Sequence, residues 1–193
     1  MARPKEFVPE EAIEKAMEVF WRKGYEATSV EDLVSAMHIN RGSLYDTFGD
    51  KRKLFLACMD RYCSEMMAER FRKLDQPASA NEAIRTFLRG MLEMLLSDPA
   101  RRGCLITNTA TELSPHEKAI GTKVTGALGG IEDAYYKVLV RAKKQGELKK
   151  GQDPRALARY LTGMMQGVIV MCKAGTTAEA MRDIVETGLS VLD

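Results

Sequence analysis

The segment spanning residues 29–48, SVEDLVSAMHINRGSLYDTF, gathers the groups best suited to recognition chemistry. Val30, Leu33, Val34 and Met37 form one apolar stripe at helical spacing, and a tight break at His38-Ile39-Asn40 follows. Ile39 is apolar inside that break, where two short helices joined by a turn bury a residue between them. On the second helix Leu44 and Phe48 lie four apart and face a core. Arg41, Gly42, Ser43, Tyr45, Asp46 and Thr47 are then left for the outer surface, as small or polar groups able to meet phosphates and base edges. Asp50-Lys51-Arg52-Lys53 comes next, with three cations at a helix start whose N–H groups and dipole also attract phosphate. From pattern alone two readings stand: a DNA-reading helix pair, or a helical hairpin with a solvated charged face. Residues 1–74 hold 13 Lys+Arg against 13 Asp+Glu, so the region has no basic field as a whole, whereas 41–53 carries four cations against two acids.

A second candidate is Cys104, which follows Arg101-Arg102-Gly103. A lone Cys before Leu105 and Ile106 reads first as a small core hydrophobe. The alternative is a thiolate sensor, since adjacent arginines and a helix start favour the ionised thiol. Lys173 would add a second cation if the fold returns that helix end to the sulfur. Cys58, Cys63 and Cys172 read as packing. Methionines, among them Met91 and Met164, read as core residues that also suit an adaptable apolar pocket. Phe87, Asn108, Tyr135 and Tyr160 are the candidate ring faces and polar contacts for such a pocket. No catalytic constellation, metal-ligand spacing or cofactor loop is recognised: His38 and His116 stand in no known motif, and Ser43 is a helix-start serine.

These residues need a frame, and the frame reads as all-α. The chain has 193 residues, 45% of them hydrophobic and 29% charged, with a net charge of +2. That composition excludes collagenous, disordered and disulfide-framework proteins. About nine helices are expected, at 9–24, 29–37, 41–47, 50–74, 79–97, 101–113, 115–145, 153–173 and 177–192. Capping boxes are expected at Thr28-x-x-Glu31, Ser79-x-x-Glu82, Ser114-x-x-Glu117 and Thr176-x-x-Glu179. Asp50 and Asp153-Pro154 mark two further starts. Three short helices precede the longer ones, which divides the chain into residues 1–50 and 51–193. The cationic run 141–150 reads as a solvated loop. The last two helices, with Gly163, Gly167 and Gly188 on apolar faces, suit a four-helix seam between two copies of the chain. Met1 to Glu10 lacks an apolar leader and no stretch reaches the ~18 apolar residues of a membrane span, so a cytoplasmic protein without membrane contact is expected.

Residues 7–55 resemble the N-terminal domain of TetR/AcrR-type transcriptional regulators. The likeness runs through Ala16-Met17-x-Val19-Phe20, Lys23-Gly24-Tyr25-x-x-Thr28-Ser29-Val30 and Ile39-Asn40-Arg41-Gly42-Ser43-Leu44-Tyr45-x-x-Phe48, and ends at Gly49-Asp50-Lys51-x-x-Leu54-Phe55. Arg102-Gly103-Cys104-Leu105-x-x-Asn108 resembles a NemR-like subgroup. The resemblance implies a three-helix helix-turn-helix head (1–50) and a helical effector-binding and dimerisation body (51–193). It also implies a homodimer that binds double-stranded operator DNA as a repressor and leaves it on meeting a small-molecule or reactive effector. Carried over by position, Thr28, Ser29 and Lys51 hold phosphates, while Arg41, Gly42, Ser43, Tyr45, Asp46 and Thr47 meet the groove. Asp46 and Thr47 depart from the family's frequent aromatic or imidazole pair.

Overall fold

The computed structural model describes residues 7–75 and 79–193. Part of the Met1 to Glu10 segment read above as leaderless therefore lies outside the described residues. The chain divides into two compact units, at residues 1–67 and 68–193. No strand occurs among the described residues, and none of their helices is long and apolar enough to cross a membrane.

The first unit contains α1 (Pro9–Lys23), α2 (Val30–Met37), α3 (Arg41–Phe48) and α4 (Lys51–Arg61). α1 starts on Pro9, whose fixed φ suits a first helical turn, and stops at Gly24 with φ +84°. Ala16, Phe20, Leu33, Leu44, Leu54 and Phe55 form the core. The Phe20 and Phe55 rings meet edge to face with centroids 5.0 Å apart, and Trp21 meets Tyr62 the same way at 5.1 Å. Burying each such ring contributes roughly 1.5–3 kcal/mol. α4 packs on α1, where the Cys58 thiol donates to the Ile13 carbonyl and Arg61 pairs with Glu14. The division expected after residue 50 thus falls inside this unit, because α4 completes its core. The helix expected over 50–74 is not one regular helix. It passes from α4 into a π-helical stretch, Tyr62–Met67, then into α5 (Ala68–Arg72) and a 3-10 turn, Lys73–Asp75.

The second unit continues with α6 (Ala80–Leu96), α7 (Leu105–Glu112), α8 (Lys118–Lys144), α9 (Pro154–Lys173) and α10 (Ala178–Leu189). α9 packs against α8 and α10, around Leu139, Leu161, Val168 and Val185. The start of α6 is fastened from far along the chain. Ser79 Oγ donates to Glu147 Oε2 at 2.9 Å and accepts from Glu82 N, while the Asn81 amide donates to the same Glu147 oxygen at 2.8 Å. Asn81 Nδ2 also donates to the carbonyls of Glu147 and Leu192.

Several helix starts differ from the sequence reading. α2 is capped by Ser29 with Asp32, and α10 by Thr177, each one residue later than expected. The box expected at Ser114 and Glu117 does not form; α8 begins at Lys118 without a side-chain cap, and Ser114 Oγ donates to Thr109 O. Residues 101–104 are not helical. Asp98 accepts from the Ala100 and Arg102 amides, and Arg101 (φ +46°) and Gly103 (φ +70°) turn left-handed, so α7 waits until Leu105.

Candidate functional site

α2 ends at His38, which takes the left-handed conformation at φ 57°. The Ile39 amide then reaches back to Val34 O at 3.1 Å, and Asn40 Oδ1 accepts from Ser43 N at 2.8 Å to start α3. A Cβ on Gly42 would stand 3.2 Å from that capping oxygen, so glycine leaves the cap unobstructed. Leu44 is fully buried and fixes the helix by its inner face. Arg41, Gly42, Tyr45 and Asp46 are exposed, and Ser43 and Thr47 are half-buried. Six residues named from sequence therefore share one short helix, four of them plainly solvent-facing. Tyr45 keeps 46% of its surface exposed. Arg41 extends along the surface to Glu31 at 2.9 Å.

The flanks are set by α2 and α4. Ser29 is exposed; its hydroxyl accepts from Asp32 N, and its own amide donates to Asp32 Oδ2 at 2.9 Å. Lys23 Nζ reaches the same carboxylate at 2.6 Å. The Lys23 hydrogen bond, followed by those of Ser29, holds the Asp32 carboxyl down at about 2. Lys51 Nζ lies 4.3 Å from the centroid of the Tyr25 ring, which positions the cation without a carboxylate partner among the described residues. Asp50 caps α4 through Lys53 N and so occupies part of the helix start that was read as open to phosphate. Thr28 is corrected: it is buried, and its hydroxyl donates to Gly24 O at 2.5 Å, so it shapes the turn and offers nothing to a phosphate. Glu31, Tyr25 and Asn40 occur in the sequence motifs above but are given no contact or positioning role at this site. Only Asn40, as an N-cap-forming residue three before Ser43, carried a local signal.

The eight effector candidates do not form one site. Phe87 and Met91 line a cavity of about 550 Å³ within the second unit, together with Ala83 and Met94, and with Arg70 and Lys73 among its charged groups. Tyr135 is fully buried behind it, its ring 6.0 Å from Phe87, with Phe71 packed on both. Burial pushes the Tyr135 phenol well up. Asn108 Nδ2 donates to Arg102 O at 3.0 Å, which braces the 101–104 loop. Cys104 is buried at the head of α7, while Arg102 Nε is hydrogen-bonded to Asp98 and the Arg101 guanidinium lies against Gly175. Tyr160 and Met164 instead flank Gly188 where α9 meets α10, and Lys173 is exposed at the end of α9. Cys58 and Cys172 are buried and donate to backbone carbonyls, as packing residues do.

Residues 12–58 match the family described as bacterial regulatory proteins, tetR family, and residues 80–187 match the tetracyclin repressor-like, C-terminal domain. The chain is 38% identical to the uncharacterized HTH-type transcriptional regulator YezE of Bacillus subtilis (strain 168), over 100% of both proteins. It is 31% identical to the HTH-type transcriptional repressor ComR of Escherichia coli (strain K12), over 97% of this chain and 90% of ComR. Among solved structures, a cysteine-substituted TetR family regulator, CifR, complexed with a 26-base-pair operator duplex, is 30% identical. That structure covers 97% of this chain and 98% of its own, with a TM-score of 0.87. The reduced form of E. coli NemR, 15% identical, shares the fold with a TM-score of 0.84 over 93% of each chain.

Proposed function

Since the chain belongs to the TetR family of DNA-binding transcriptional regulators, we propose that it is a repressor whose α3 reads the major groove of an operator. The observation that carries this is the outer face of α3. Arg41, Tyr45 and Asp46 stand exposed on a helix locked from inside by Leu44 and at its start by Asn40. A short helix held this rigidly can present side chains to base edges with little ordering cost. Ser29 and Lys51 flank it as phosphate contacts, with Ser43 and Thr47 at its margins. A gel shift with the DNA upstream of the protein's own gene, at two salt concentrations, tests the reading. Specific retardation that weakens with salt is expected, and equal affinity for unrelated DNA overturns it.

The protein acts as a homodimer in the cytoplasm, with no catalytic step. α9 and α10 form the seam: Tyr160 and Val170 are 45% and 50% exposed, and Gly163 and Gly167 leave open space beside them. Two heads so joined address half-sites about one helical turn, ~34–36 Å, apart or somewhat more. The cavity beside Phe87 and Met91 takes a small effector that favours the state unable to bind DNA, since only differential affinity shifts such an equilibrium. Cys104 serves packing in this scheme. An electrophile titration followed by DNA release, repeated with Cys104→Ser, checks that assignment; loss of a wild-type response in the variant would restore the thiol to a sensing role.

A further inference from the structure

We propose that the cavity beside α6 is selective for an apolar carboxylate, its anionic head on Arg70 and Lys73 and its hydrocarbon on Phe87, Met91 and Met94. This deepens the effector reading of the second unit and rests on it. The cavity's volume of about 550 Å³ suits a small ligand and no macromolecular segment. Its apolar side combines a ring with two thioethers, which adapt to a flexible chain. Gly90 widens it, since a Cβ there would find nothing within 4 Å.

The charged side is what assigns the class. Arg61, Arg85, Arg89, Arg102, Arg155 and Arg182 are all in ion pairs. Arg70, half-buried, and Lys73 line the cavity and have no ion pair or hydrogen bond among the described residues. Glu82 also lines the cavity; it accepts from the Thr86 hydroxyl at 3.3 Å, and two cations against this one carboxylate leave the lining net positive. A guanidinium and an ammonium beside apolar groups select a carboxylate head over a neutral or cationic one.

Calorimetry of the full-length protein with decanoate, decanol and decyltrimethylammonium, each below its micellar concentration, tests this. Decanoate is expected to bind about tenfold or more tightly than the other two. The Arg70→Gln, Lys73→Gln double variant should lose that preference and keep decanol affinity. Gly90→Leu should exclude all three compounds, with melting curves confirming that both variants fold. Equal binding of the three compounds, no decanoate binding, or an unchanged preference in the double variant overturns the proposal. An operator-release assay separates the two levels. Selective decanoate binding without change in DNA affinity keeps the anion site and removes its effector role. Release by another compound, blocked by Gly90→Leu while decanoate fails to bind, keeps the effector cavity and removes its anion selectivity.

Discussion

The two contacts proposed for Tyr45 and Lys51 rest on different physics. Tyr45 is an exposed ring on α3, and in the proposed complex its hydroxyl and edge meet groups that differ between base pairs. Lys51 is a point charge steadied over Tyr25, and a phosphate offers it the same contact at any sequence. Tyr45→Ala should weaken operator binding by ~1–3 kcal/mol and compress the gap to non-specific DNA. Lys51→Ala should weaken all sequences alike and flatten the salt slope by about one. Anisotropy titrations across a salt series read both quantities. Asp32 gives a pH signature of the same head. Its carboxyl titrates near 2 instead of the ordinary 3.8, so the ionised form is favoured by folding. Its contribution is present in full above 3.8 and is lost as pH falls through about 2. Melting wild type and Asp32→Asn side by side should show a gap at neutral pH that closes near pH 2. A constant gap would mean that Lys23 and Ser29 do not favour the charge.

At the scale of elements, α3 depends on a single side chain for its start. Asn40→Ala removes the acceptor of Ser43 N, which costs ~1 kcal/mol at a typical N-cap. Backbone hydrogen exchange in α3 should rise while α1 and α4 stay protected, and operator affinity should fall although no proposed contact has been touched. α10 depends on an absence. A Cβ on Gly188 would lie 2.0 Å from Met164 Sδ and 3.2 Å from the Tyr160 hydroxyl. Gly188→Ala must therefore displace Met164, on the proposed seam, at a cost of ~1–3 kcal/mol. Sedimentation should show a dimer that dissociates at higher concentration than wild type. Helix existence was readable because apolar spacing repeats over many turns, as in α1, α6 and α9. Helix starts were less readable. Thr28 and Ser29, like Thr176 and Thr177, are adjacent hydroxyls that can each cap a helix, and tertiary packing chooses between them. The loop at 101–104 was hidden because Asp98, three residues before it, is what bends the chain.

For the whole molecule, the family, the all-α frame and the helix-turn-helix pair α2–α3 were legible, since local motifs carry them. The effector set was not. Phe87, Asn108 and Tyr160 look alike in sequence as members of helical stripes, and only the packing of α6, α7 and α9 sends them to a cavity wall, a loop brace and the contact with Gly188 of α10. The same dependence on distant partners bears on how the chain acquires its shape. The first amides of α6 are satisfied by Glu147, 66 and 67 residues further on. A ribosome must therefore pass the end of α8 before the Ala80 and Asn81 amides can meet that carboxylate. Closing so long a loop belongs to the late side of a folding barrier. Glu147→Ala should accordingly leave refolding rates nearly unchanged and speed unfolding, seen as a shift in one arm of a chevron plot. Until α8 has emerged, the nascent α6 presents Phe87, Leu88 and Leu92 to whatever it meets, so a need for chaperones during synthesis is expected of the wild type and, at an unchanged folding rate, should be no greater in the same variant.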